Sequence, residues 1–186
     1  MSWTKVHFKQ DPHPLAKASG NKKIYCHWHK QISEMKKEWL KKYLSDDALE
    51  SIKQEIFSVE QRTCGEIRLS LREKRKGFEK LYKCHELAVR DFEKMGMTNT
   101  KEKTGILIFI IFGEHYYDIL ADEGIYNKIP DTTWNKLEKE LVEDFRSGNY
   151  LSGILQIIEK MGNALCQEFP RETGDINELP DDVIVH

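Results

Sequence analysis

The chain has 186 residues, 39% apolar and 32% charged, with a formal net charge of −2, which suffices for one folded domain with a real core. No run of about 18 apolar residues occurs, and the opening MSWTKVHFKQ lacks the apolar stretch of a secretion signal, so a soluble, cytoplasmic protein is expected. Cys26, Cys64, Cys84 and Cys166 lie far apart with no CxxC pair, which argues for free thiols rather than a disulfide framework. The small net charge conceals a polarised chain: residues 1–44 sum to +7 and residues 113–186 to −10. An acidic second half favours a cation or a basic partner, and the basic front favours a protein partner or an anionic surface. Attraction between the two halves is the plainer use of the same charges.

Residues 1–23 carry Pro12, Pro14 and Gly20 with little periodicity and read as an irregular arm. Ile32, Met35, Trp39, Leu40 and Tyr43 then recur at helical spacing, with Lys36, Lys37, Lys41 and Lys42 on the remaining surface. This is a short basic amphipathic helix, and docking of Trp39 against the core is its expected use. Together these residues form a basic N-terminal extension, 1–44. The lysines lack arginine and arginine-rich spacing, so no nucleic acid is expected as a partner.

Ser45 is a good N-cap, with Asp46 and Asp47 in the first turn of a helix that buries Leu49, Ile52, Ile56 and Val59. Glu66 to Leu71 alternates polar and apolar, so a half-buried strand is expected. Gly77 to Met95 reads as one helix, with Leu81, Leu87, Ala88 and Phe92 on its apolar face and Gly96 as its stop. Ile106 to Phe112 is apolar throughout, the mark of a strand covered on both faces. Gly113-Glu114-His115 makes a turn, Tyr116 to Ala121 returns as a strand, and Asp122-Glu123-Gly124 ends it in an acidic turn. Helices follow from Asp131 to about Arg146 and through Ile154, Ile157, Ile158, Met161 and Leu165, before a polar tail. The order predicts an α/β fold: a three-layer α/β/α sandwich around a small mixed sheet with a βαββ core.

Parallel strands at 66–71 and 106–112 share their starting edge, and the hairpin returns the end of the third strand to it. Thr63, Glu66, Thr104, Asp122 and Glu123 should therefore converge. Ligands of open α/β sheets usually bind at the opposite edge, here near Glu73, Glu114 and His115. The acidic turn favours the first edge.

An ordered set of residues resembles the TPM domain: Glu60-x-x-Thr63-x-Gly65-Glu66-Ile67-Arg68, Met95-Gly96-Met97-x-x-Thr100 and Thr104-Gly105-Ile106-Leu107-Ile108. The set continues with Ile119-Leu120-x-Asp122-x-Gly124-Ile125, Trp134, Phe145-x-x-Gly148-x-Tyr150-x-x-Gly153, Gly162-x-x-Leu165, Phe169-Pro170 and Asn177-Glu178-Leu179-Pro180-Asp181. The resemblance covers about residues 45–182, leaves 183–186 as a C-terminal end, and is to the soluble bacterial type without a signal peptide or transmembrane helix. It implies an α/β/α sandwich, a calcium site on an acidic rim in some members, and weak acid-phosphatase activity in plant members.

Asp122, Asp131 and Glu66, with Glu123, supply hard oxygen donors that suit Ca²⁺, or else Mg²⁺, better than zinc. Each also has a structural use: Asp122 in the turn, Asp131 as a helix cap, Glu66 paired with Arg68 or Arg62. Asp144 stands near a helix C-terminus, where the dipole disfavours a carboxylate, and is the last candidate ligand. Cys26-His27-Trp28-His29 offers three zinc-type ligands, but no second Cys/His cluster completes four. No GxSxG, HExxH, Walker A or GxGxxG motif occurs. The expected function is therefore divalent-cation binding in an interaction or regulatory module. The alternative is weak metal-assisted hydrolysis of phosphomonoesters, with Thr63 or Thr104 orienting substrate and Arg62 or Arg68 holding phosphate.

Overall fold

The computed structural model describes residues 38–171 and 183–186; the expected arm, the Cys26–His29 cluster, Ile32, Met35 and the Asn177–Asp181 segment lie outside them. A one-turn 3-10 helix, Glu38–Lys42, precedes α1 (Asp46–Glu60). Strand β1 (Glu66–Arg72) leads through a 3-10 turn at Gly77–Leu81 into α2 (Cys84–Lys94) and then β2 (Gly105–Ile111). Strand β3 (Tyr116–Ala121) is followed by α3 (Glu123–Tyr126), α4 (Asp131–Arg146), α5 (Tyr150–Glu168) and β4 (Val183–Val185).

Local chemistry explains most of these limits. Ser45 Oγ accepts from Ala48 N at 3.1 Å, an N-cap that starts α1 where the hydroxyl and the two aspartates call for it. Gly96, at φ 74°, takes the left-handed conformation that closes α2. The sheet order is β3-β2-β1-β4, with β2 and β4 parallel to β1 and β3 antiparallel to β2. Ile67, Leu69, Leu71, Ile106, Ile108 and Ile110 face a core shared with α1, α4 and α5, which includes Ile52, Ile56, Ile157 and Met161. Leu107, Phe109 and Ile111 face the other way, onto Leu87, Ala88 and Phe92 of α2. The result is the expected α/β/α sandwich around a mixed sheet. Among the described residues no helix is long and apolar enough to cross a membrane.

Three details differ from the expectation. β1 is buried along its whole length, and its arginines are paired: Arg72 with Asp91 of α2, and Arg68 with Glu60 of α1 and with Glu66. The expected helix 77–95 divides into the 3-10 turn and α2, and Leu81, placed on its apolar face, is 78% exposed. Val183–Val185, read as part of a polar tail, instead forms the edge strand β4, in register with Leu69–Leu71. As expected, Trp39 docks against the main core, where Leu40 and Leu44 are buried with it, so the described end of the basic extension belongs to the folded body. Trp39 lies 6.0 Å from Phe112 and 6.3 Å from Tyr43, within an aromatic cluster that continues to Phe145 and Tyr150.

Candidate functional site

The sheet builds the amino-end rim as its topology demands. Glu66 stands opposite Gly105, and Ile106 opposite Ala121. Glu66 N donates to Thr104 O at 3.0 Å and Asp122 N to Gly105 O at 2.9 Å, so the backbones of the expected rim residues do come together.

Their side chains divide into those used by the fold and those left over. Thr63 Oγ1 donates to Phe169 O at 2.6 Å and accepts from Gly65 N at 3.1 Å. Thr104 Oγ1 donates to Cys64 O at 3.0 Å. Both hydroxyls thus tie loops together. Glu66 is buried, with Oε2 3.5 Å from Arg68 Nη2, and Arg68 also meets Glu60 at 3.7 Å while donating to Ile67 O at 3.1 Å. Arg62 lies at the surface, donating to Ser58 O and to Asn163 Oδ1.

Glu66 Oε2 and Arg68 Nη2 make no hydrogen bond but face each other as an ion pair; Asp122 stands apart from them. Its Oδ1 accepts from Glu123 N at 2.8 Å and caps α3, while Oδ2 is buried and has no hydrogen-bond partner. A buried acceptor left unmade costs about 1–3 kcal/mol, and a charged one more. Two residues on, a Cβ at Gly124 would stand 2.3 Å from Glu102 O and 2.7 Å from Lys103 O, so only glycine permits this approach. Two backbone carbonyls and one uncommitted carboxylate oxygen therefore border the same turn. These are hard, neutral and anionic oxygens of the kind Ca²⁺ takes, from side chains and carbonyls together. Glu102 also lies here, its Oε2 accepting from Cys64 Sγ at 3.7 Å.

The other expected ligands stand differently. Asp131 is the first residue of α4, and its side chain lies outside the described residues. Asp144, in the last turn of α4, faces α5, where its Oδ2 accepts from Gln156 Nε2 at 3.1 Å beside Glu140 and Gly153. Among the described residues no three His, Cys, Asp or Glu side chains gather into a metal-holding group, so backbone oxygens must carry much of any shell.

At the carboxyl end of the strands, Arg72 donates to Asp91 Oδ1 at 2.8 Å and Oδ2 at 2.9 Å, and pairs with Glu79. Ser70 Oγ donates to Asp91 at 2.7 Å, and His186 Nε2 lies 3.2 Å from it. Burial pushes the Asp91 carboxyl up, but His186, Arg72 and Ser70 more than offset this and hold it at about 2, against an ordinary 3.8. Glu114 turns to Arg75 rather than to His115: Arg75 Nε donates to Oε2 at 2.7 Å and Arg75 N to Oε1 at 2.8 Å. Those donors outweigh burial and lower the Glu114 pKa. His115 itself occupies the turn at φ 50°.

Sequence reasoning missed two features. The Glu102 and Lys103 carbonyls left no compositional trace, although Gly124 directly after Asp122-Glu123 hinted at a close approach. The His85 Nδ1–Asp118 Oδ2 contact at 2.7 Å joins α2 to β3, with Tyr116 Oη donating to the same oxygen at 3.0 Å. Only the fold brings that pair together.

The TPM domain family model matches residues 40–164. A solved structure, the BA42 protein from the psychrophilic bacterium Bizionia argentinensis, is similar at 30% identity and a TM-score of 0.69, covering 76% of this chain and 94% of that one. The N-terminal domain of the cg2496 protein from Corynebacterium glutamicum is similar at 10% identity and a TM-score of 0.46, over 77% and 81% of the two chains. No curated protein matches the sequence. The family match spans well over half of the chain and takes in β1, β2, β3 and the Asp122 turn, so the chain belongs to the TPM domain family.

Proposed function

We propose that this TPM-domain protein binds a divalent cation, calcium in preference to magnesium, at the rim around Asp122, and acts as an interaction or regulatory module. The observation that supports this best is the buried Asp122 Oδ2 without a donor, in the same turn as Gly124, against which the carbonyl oxygens of Glu102 and Lys103 pack. Asp122 would supply the anionic oxygen, and its other oxygen, fixed by Glu123 N, sets the direction of the carboxylate. The two carbonyls would add neutral donors held in place by the contact with Gly124. Bound calcium would supply a local positive charge that joins the 100–104 loop to the start of α3. An irregular set of carbonyls and water suits the six to eight oxygens of Ca²⁺ better than the strict octahedron of Mg²⁺. Asp131, nine residues on at the start of α4, is the next candidate ligand; Glu66, facing Arg68, and Asp144, bonded to Gln156, rank behind it.

The phosphatase alternative draws less support, because the Thr63 and Thr104 hydroxyls and the Arg68 guanidinium are engaged within the fold. Thermal unfolding separates a cation site from a bare turn. A ligand that binds only the folded state stabilises it by about 2.7 kcal/mol at a hundredfold excess over its Kd. Millimolar Ca²⁺ should raise the Tm of the parent and leave Asp122→Asn nearly unmoved. A parent melting curve identical with and without Ca²⁺ would rule the reading out.

A further inference from the structure

We propose that the loop joining β1 to α2 docks the protein on an anionic lipid surface, with Phe78 and Leu81 entering the bilayer interface. This lies at the rim opposite Asp122 and does not depend on a cation site. Between Lys74 and Lys83 the sequence KRKGFEKLYK holds five cations and one acid. The two residues that could neutralise or redirect this charge are committed: Arg75 to Glu114, and Glu79 to Arg72. Lys74, Lys76, Lys80 and Lys83 remain exposed around the loop, Lys76 with Glu73 at 3.8 Å.

The tip is built rather than frayed. Arg75 Nη1 donates to Tyr82 O at 2.8 Å and closes the base, while Glu79 Oε2 accepts from Lys76 N at 2.8 Å and fixes the turn. Within that ordered 3-10 turn Phe78 and Leu81 are 77% and 78% exposed. Residues three apart eclipse in a 3-10 helix, so both side chains leave on the same side. A cleft of about 420 Å³ adjoins Phe78, lined also by Arg72, Lys74, Lys76 and His186 among others, and offers room for a headgroup.

Charge and shape favour lipid over other polyanions. Leu81 offers no ring face to a base, and the loop's arginine is engaged, which argues against single-stranded nucleic acid. Two side chains on one turn bury far less than the roughly 1,000 Å² that a stable protein interface needs. A bilayer accepts such a small apolar wedge when lysines flank it, each worth about fivefold in partitioning near an anionic surface.

Co-sedimentation of the full chain with phosphatidylcholine vesicles, alone or with about a third phosphatidylserine, tests this. Binding should require the anionic lipid and weaken as salt rises. Phe78→Ser with Leu81→Ser should reduce it about tenfold or more, and each of Lys74→Gln, Lys80→Gln and Lys83→Gln about fivefold, with unchanged circular dichroism and urea midpoint. No binding to anionic vesicles at low salt would overturn the proposal. So would binding that survives all five substitutions, or substitutions that abolish capture of single-stranded RNA while no vesicle is bound.

Discussion

At the carboxyl end of β1, Arg72, Asp91, Glu79, Arg75 and Glu114 each stand within ion-pair distance of an opposite charge. At the amino end, Asp122 keeps one buried oxygen that no donor reaches. Open α/β sheets usually place ligands beyond the carboxyl ends of their parallel strands. Here that end spends its charge on holding α2, the 3-10 turn and β4 to the sheet, and the uncommitted chemistry lies at the other rim. The contrast shows why charge density alone is a poor guide to a site: in the richer cluster every carboxylate faces a cation, although Arg72 Nε there is also buried without a hydrogen bond.

The largest effect should come from breaking the paired cluster. Asp91→Ala leaves Arg72 and Ser70 buried without their shared acceptor. Removing one partner of a buried pair costs about 3–5 kcal/mol, and urea unfolding should show a loss of that size. The same carboxylate sets an acid limit. Its folded pKa, about 2, lies below the ordinary 3.8, so its contribution of about 2 kcal/mol is complete above about pH 4. That stability is lost as pH falls from 3.8 towards 2, and the acid-unfolding curve of Asp91→Asn should be flatter there than the parent's. An equal slope would mean that other carboxylates carry the acid transition.

Gly124→Ala probes the amino-end rim with a smaller steric change. The new Cβ would meet the Glu102 and Lys103 carbonyls, and overpacking of this kind costs about 1–3 kcal/mol. It should also abolish any calcium-dependent rise in Tm. Gly148→Ala, where a Cβ meets nothing within 4 Å but φ is +76°, supplies the backbone-strain control without altering the rim. The smallest effect is expected from Asp122→Asn without cation. Asparagine caps a helix as well as aspartate, so stability should change by less than about 1 kcal/mol. A large loss in cation-free buffer would instead make Asp122 a structural residue.

Much of the fold could be read directly from the chain. The apolar run Ile106–Phe112 marked a doubly covered strand, Ser45 marked the start of α1, and Gly96 marked the end of α2. β4 escaped because three residues are too short for a period, and its register is set by β1 alone. β1 looked half-buried because alternation reveals two faces but not that the polar one is buried too. Leu81 has the spacing of a core residue, yet the turn at Gly77–Leu81 is held by Glu79 and Arg75 and turns it outward. Asp122 was legible from its acidic turn, and its convergence with Thr63, Glu66 and Thr104 from topology. The Glu102 and Lys103 carbonyls were not, since any residue type supplies a backbone oxygen. Glu66 could be read as paired with Arg68 or Arg62, and the fold selects Arg68.

The most direct test is a crystal structure of the full chain grown with calcium. The account predicts an ion beside Asp122 Oδ2, with oxygen contacts near 2.3–2.6 Å that include the carbonyl of Glu102 or Lys103. Asp122 Oδ2 bonded to water or to a lysine, with no ion at the rim under saturating calcium, would contradict it.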